Sequence, residues 1–449
     1  QDIYIPKQSF TPPDQDDDDD DDKKAASSDA SKKAVILTGH NAYRTKVQGV
    51  MIMMCADFEN VTAIPAGNTC AIAGVEKFVL KTGSFLSSPN SYPLRNMTYS
   101  VHPVVRCAVE CSIPSELPRL TEALRRLTLT DSIVQVTNND SGEHVVAAAG
   151  ELHMEIVLQD LQGFMTNCGP LRIGEPVVSY CETVSCNSKD NYNDRACLAK
   201  SPNKHNRLYI TAEPLAQEYI DTIEEGDLSP IQKEFKRRLF CFGPEQVGAN
   251  MLVDATTGVQ NMLEIKEHCS AAFQWLTSEG ALTEEPLRNI HFSIADATLH
   301  SDTIHRGGGQ IIPACRRACL GAELVASPRL LEPVFIVEVT VPKTEGGGVY
   351  STLLQNRGSI ISEEPAPASP SQLIIKAHLP VASSFGITAK LRSATHGRAF
   401  LQMSFDHWDT VPGDPFKDGT LTQEVVNQIR KRKGLKDAIP VPTDFLDKL

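Results

Sequence analysis

The 449-residue sequence lacks any apolar run long enough to span a membrane. The longest, Val50–Ala56, falls far short of the ~20 residues such a helix needs. It lacks an N-terminal signal pattern. It also lacks an initiating Met, so with Gln1 at its start a fragment or processed product is expected, with sequence missing upstream. There is no CxxC pair among the twelve cysteines. Cys107/Cys111 and Cys315/Cys319 are spaced i, i+4, without the His or Cys partners of a zinc site, so no metal site is expected and reduced, cytoplasmic thiols are. In that compartment the sequons at Asn60, Asn96 and Asn139 carry no glycan. A phosphate-cradling GxxxxGK[ST] loop is missing too: Lys81-Thr82-Gly83-Ser84 and Gly346-Gly347-Gly348 have the wrong endings. Asn203-Lys204 is followed by His-Asn rather than by the Asp of a guanine-recognising motif. No nucleotide-hydrolysing site is expected.

What is present fits a globular chain of several domains, at roughly 100–200 residues each, with 41% hydrophobic and 22% charged residues. The net charge of −13 argues against a nucleic-acid partner, but seven consecutive Asp (Asp16–Asp22) supply more than half of it. Basic residues gather elsewhere, in Lys200–Arg207, Lys236-Arg237-Arg238, Arg316-Arg317 and Arg430–Lys433. Clusters of this kind bind RNA phosphates whatever the total charge.

Residues 1–34, with the Asp run, read as a disordered acidic segment or loop. Residues 35–97 carry short β-rich runs (Gln48–Cys55, Thr69–Val75, Phe78–Thr82) around a turn at Ile64–Asn68, which predicts part of a β-barrel. Over 98–175 the pattern predicts strand His102–Cys111 and helix Pro114–Leu129, with Leu117, Leu120, Leu124 and Leu127 on one face. Strands Ile133–Thr137 and Glu143–Ala149, a helix from Glu151 and strand Leu171–Ile173 complete a β-α-β-β-α-β order, the ferredoxin-like split unit. The order returns over 332–408, with strands Val334–Val341, Ser359–Glu363, Leu373–Leu379 and Ala399–Phe405 and helices Gly347–Asn356 and Val381–Ser393. Between them, 176–331 mixes strands Arg207–Ala212 and His291–Asp296 with helices Val259–Leu276 and Gln310–Ala326, and Thr422–Lys436 reads as a basic helix. The fold class is therefore α+β and multidomain.

His305-Arg306-Gly307-Gly308-Gly309-Gln310 is the least ordinary stretch, because three glycines in a row cost folding entropy. From residue chemistry alone a flexible loop ahead of a helix comes first, an RNA-contacting tip second, and anion binding at the helix N-terminus stays open. Ser201–Arg207 reads as a polar basic turn before a strand. His153 and Glu155, two apart on a helix, do not face each other and read as helix surface rather than an acid/base or metal pair.

Taken together, these stretches resemble eukaryotic or archaeal elongation factor 2. The resemblance rests on Ala149–His153, Pro176–Tyr180, Lys200–Arg207, Cys241–Pro244, Leu299–Pro313, Ser384–Gly386, Phe405-Asp406-His407-Trp408, Pro412–Pro415, Arg430–Leu435 and Phe445–Leu449. Cys181 departs from it, standing where that family has Arg, as does a shortened segment between Asp227 and Phe240. It implies a partial domain II-like barrel (35–97), a domain III-like unit (98–175) and a domain V-like unit (332–408). The S5-like α/β domain IV, 176–331 with 409–449, would lie between and beyond them. It further implies ribosomal translocation, with the domain IV tip entering the decoding centre against rRNA, tRNA and mRNA. His305 would be the residue converted to diphthamide by dedicated enzymes and ADP-ribosylated by toxins. Lys204, His205, Asn206, Arg207, Arg306, Gly307, Gly308, Gly309 and Gln310 would be RNA- or ribosome-facing. The resemblance implies a cytoplasmic monomer without a membrane partner. GTP and Mg are implied for the intact family and no cofactor for this chain. The competing readings are a GTPase-less ribosome-binding module and a paralogous spliceosomal or ribosome-biogenesis GTPase. Lys204–Arg207 and the terminal Phe-Leu-Asp-Lys-Leu favour the translocase.

Overall fold

The computed structural model describes residues 2–6, 42–55, 57–79, 81–88, 91–94, 103–138, 143–165, 168–188, 196–224, 226, 228–244, 248–367 and 369–447. The Asp16–Asp22 run lies outside them. The chain forms two compact units, Gln1–Val177 and Val178–Leu449.

In the first unit, Asp2–Pro6 is a strand antiparallel to Ala42–Lys46, which corrects the expectation of a loop from residue 1. Alternation explains it: Ile5 is buried and Ile3 half-buried, while Tyr4 bridges to Leu86. Gly49–Met54 lies between Asp57–Val61 and Ala71–Ala73 in a three-stranded sheet. The strand expected at Phe78–Thr82 is absent among the described residues, which leave out Leu80. Phe78 sits in a turn, its N–H donating to the Val75 carbonyl and its ring against Tyr43. Among the described residues these small sheets do not close into a barrel.

The rest of the unit is the first split α/β fold. Strands Leu171–Ile173, Val105–Cys111, His144–Ala148 and Gln135–Asn138 lie side by side in that order, all antiparallel. Two helices, Leu117–Thr130 and Glu151–Phe164, bring Leu120, Leu124, Leu127, Val157 and Leu161 onto Val109 and Val146. Leu117, expected on the buried face, is exposed because its turn precedes the sheet contact. His153 is tied inward. Its Nδ1 accepts from the Ala149 N–H at 3.1 Å, and its Nε2 lies 2.7 Å from Asp131 Oδ2. Burial raises the Asp131 carboxyl, but the Ile133 amide and His153 outweigh it and hold the pKa below the usual range.

The second unit holds two sheets. One runs Cys197–Lys200, Arg207–Pro214, Ile290–Thr298, Asn250–Asp254, Leu239–Gly243. Its only parallel pair among the described residues, Asn250–Asp254 with Ile290–Thr298, requires a crossover, supplied by helix Met262–Ser278. That helix and Gly308–Val325 cover one face, where Phe273 meets Phe292 edge-on at 5.7 Å. The short helices Gln217–Glu224 and Ser229–Phe235 seal a second cluster around Ile231, Met251 and Val253. The other sheet repeats the split order: Ser359–Ala366, Ser369–Pro380, Pro328–Pro342, Phe400–Thr410. The single helix expected over Val381–Ser393 is two, Val381–Ser384 and Ile387–Ala394, broken at Gly386, whose φ of 69° no continuing helix allows.

The tail returns to the middle sheet. Helix Leu421–Arg432 buries Val426, Ile429 and Arg430. The Arg430 guanidinium is enclosed by carbonyls of Leu282 (2.5 Å), Lys436 (2.8 Å) and Ala438 (3.0 Å). Asp447 then pairs with the edge strand, its N–H donating to Leu198 O at 3.0 Å and its Oδ2 accepting from the Lys200 N–H at 2.8 Å.

Candidate nucleic-acid interface

The hairpin joining Cys197–Lys200 to Arg207–Pro214 is closed by its own polar atoms. Ser201 N–H donates to Asn206 O at 2.9 Å and Lys204 N–H to Ser201 O at 2.7 Å. Lys204 takes a left-handed φ of 60°, which the short turn imposes and which leaves its ammonium exposed. Arg207 pairs in register with Thr298, so the chain leaving Ile290–Thr298 emerges beside the hairpin. That chain forms a single turn, Thr303–Arg306, capped by Asp302 Oδ1 accepting from the Ile304 N–H at 3.1 Å.

Asn206, fully buried, joins the two segments. Its Nδ2 donates to His305 O at 2.8 Å and its Oδ1 accepts from the His300 N–H at 3.0 Å. Asn203 adds a second donor to His305 O at 3.2 Å, and its own N–H donates to Gln310 Oε1 at 2.9 Å. The backbone of His305 is thus clamped while its ring stays half-exposed. The ring belongs to a triad: His300 and His305 lie 4.6 Å apart between centroids, and His205 lies 5.1 Å from His305 and 5.2 Å from His300. His300 Nδ1 accepts from the Asp302 N–H at 3.1 Å, which assigns its proton to Nε2 in the neutral ring.

His305–Gln310 is not the flexible loop that residue chemistry put first. The helix begins at Gly308, two residues before the expected Gln310, with Gly307 as its cap and none of the three glycines at positive φ. A Cβ on Gly308 would stand 3.2 Å from His268 Nδ1, whereas one on Gly309 would meet nothing within 4 Å. Gly308 therefore permits close packing and Gly309 is open surface.

The sequence-predicted residues come together with one reversal. Lys204, His205 and Arg207 are exposed, and Gly307 and Gly309 lie beside them at the helix start. Arg306 is buried instead, its Nη2 donating to Glu264 at 2.7 Å, so it anchors the turn from below. His300 and Asn203 are additions that sequence reasoning missed. His300 sits in the quoted Leu299–Pro313 stretch but has no neighbour in sequence to mark it. The other basic clusters divide. Lys236-Arg237-Arg238 is exposed, but Arg316 lies 3.9 Å over the Trp275 ring and pairs with Glu279, and Arg317 binds Phe445 O. Lys433 is held by Glu285 at 2.9 Å. Composition could not separate surface charge from charge spent on packing.

Among the described residues no helix is long and apolar enough to cross a membrane. Exposed basic side chains beside stackable rings on a hydrogen-bonded turn are the chemistry that RNA recognition uses. Family models match three stretches: elongation factor G domain III over residues 101–165, elongation factor G domain IV over 212–327, and the elongation factor G C-terminus over 329–419. The chain therefore carries these translation-factor domains in order. It belongs to the elongation factor G/elongation factor 2 family, whose domains point to translation elongation on the ribosome. The domain IV match includes His300–Gln310 and starts beyond the 201–206 hairpin.

Proposed function

We propose that this chain is the ribosome-facing part of an elongation factor 2-type translocase. The two-segment tip would enter the decoding centre, with His305 carrying diphthamide. The observation that carries this reading is the clamp of Asn206 and Asn203 on His305 O, which fixes the backbone and leaves the imidazole at the surface beside His205 and His300. A residue offered to modifying enzymes and then to irregular RNA needs that combination. Lys204 and Arg207 would meet phosphates, while Arg306, Asn206 and Gln310 hold the tip's shape. GTP hydrolysis, with Mg, would belong to the full-length parent.

Peptide mass spectrometry of native protein is expected to find diphthamide at His305. Plain histidine, in cells that modify their own factor, would refute the assignment. Reversing both charges (Lys204→Glu with Arg207→Glu) should weaken ribosome binding and flatten its dependence on log[salt] by about one to two units. An unchanged salt slope would remove the phosphate-contact role.

A further inference from the structure

The Phe405-Asp406-His407-Trp408 stretch has no part in the tip. His407 and Asp406 lie on strand Phe400–Thr410, and His378 lies on strand Ser369–Pro380. These strands do not pair with each other. Both flank Pro328–Pro342, where His378 sits opposite Ile336 and His407 opposite Val334. The three side chains nevertheless meet over the central strand. Asp406 Oδ2 is 3.4 Å from His378 Nε2 and 2.6 Å from His407 Nδ1, the imidazoles stand edge-to-face at 4.9 Å, and one donor atom from each residue falls within 4.8 Å of the others.

We propose that His378, Asp406 and His407 form a site for a divalent transition-metal ion of the zinc class, clipping the two flanking strands together. The donor set selects the ion: two imidazole nitrogens with one carboxylate suit zinc, nickel or cobalt and do not suit magnesium or calcium, which prefer oxygen. The geometry is close to what binding needs. Bonds of ~2.0–2.1 Å around a tetrahedral ion place donors about 3.4 Å apart, the spacing found between Asp406 and His378. His407 Nδ1 must withdraw by roughly 0.8 Å to reach the same spacing, a shift open to a ring that is 43% exposed. Three protein ligands leave a fourth position facing solvent, to be filled by water. The neighbouring cation on this face, Lys376, is already paired with Glu338 at 3.4 Å, so it adds little repulsion.

The test uses the untagged full chain with its exposed thiols, Cys55 and Cys70 among them, alkylated beforehand. Calorimetric titration with zinc chloride should show one equivalent bound, at least tenfold more weakly in His378→Gln and in His407→Gln. The tip variant His205→Gln should bind like wild type. Zinc at a hundredfold excess over Kd should raise the wild-type Tm by about 5–10 °C and leave that of His378→Gln unmoved. The Gln variants keep side-chain volume, and their Tm without metal establishes that they fold. Equal zinc affinity in wild type and both histidine variants, or displacement of zinc by equimolar magnesium, would overturn the proposal.

Discussion

Asn206→Ala should loosen the tip without unfolding the domain around it. The substitution removes the donor to His305 O and the acceptor for the His300 N–H. The two losses are unequal. His305 O keeps Asn203 as a donor, while the His300 N–H has only the Asn206 carbonyl among the hydrogen bonds described above. One net hydrogen bond is worth about 1 kcal/mol, and a stranded, partly buried N–H adds about 1–2, so the local cost is about 2–3 kcal/mol. Asn206→Asp should cost more, because it sets a carboxylate oxygen against the His305 carbonyl in a fully buried position. Hydrogen exchange over 299–306 reads the effect directly. At about 1.4 kcal/mol per decade, protection in this segment should fall roughly 30- to 150-fold, while the strand Arg207–Pro214 exchanges as before. Protection within a factor of two of wild type would mean that Asn206 does not hold His305.

Two further outcomes follow from the same unit. Burial first, then the neighbouring Glu182, push Glu323 well above the ordinary glutamate range, and Glu182 already accepts from Leu282, Thr283 and Glu285. A raised folded-state pKa gives stability that is full below the unfolded value of about 4.3 and is lost as pH rises through the folded one, at up to about 1.4 kcal/mol per pH unit. Glu323→Gln, which keeps a donor but cannot ionise, should therefore gain on wild type between pH 5 and pH 8 in urea unfolding. Parallel stability curves would refute the raised pKa of Glu323. Gly309→Ala should be neutral or slightly stabilising at the helix start. Gly308→Ala, which crowds His268, should cost about 1 kcal/mol, and equal Tm values for the pair would contradict the packing.

Amphipathic elements were legible from sequence. Leu120, Leu124 and Leu127 recur at helical spacing, and the helix they predict is there with the same residues buried. Strands Leu239–Gly243 and Asn250–Asp254 were missed because they are buried on both faces, which erases the period-two signal. The turn at Phe78 was misjudged for the opposite reason: an apolar run alone does not show whether a partner strand is available. In the site, Lys204 and His305 were marked by composition and resemblance. The roles of Asn203 and His300 depend on hydrogen bonds and ring contacts between segments about a hundred residues apart, which no local pattern encodes.

Asp447 closes the outer edge of the strand on which the tip hairpin stands, and it does so from 247 residues downstream of Lys200. During synthesis at about 5–20 residues per second, that edge stays open for roughly 12–50 s after Lys200 is made. An unpaired edge strand is a template for wrong partners. The hairpin's strand is thus made long before the residue that covers its edge, so its protection from wrong partners depends on a contact formed only once Asp447 has been added.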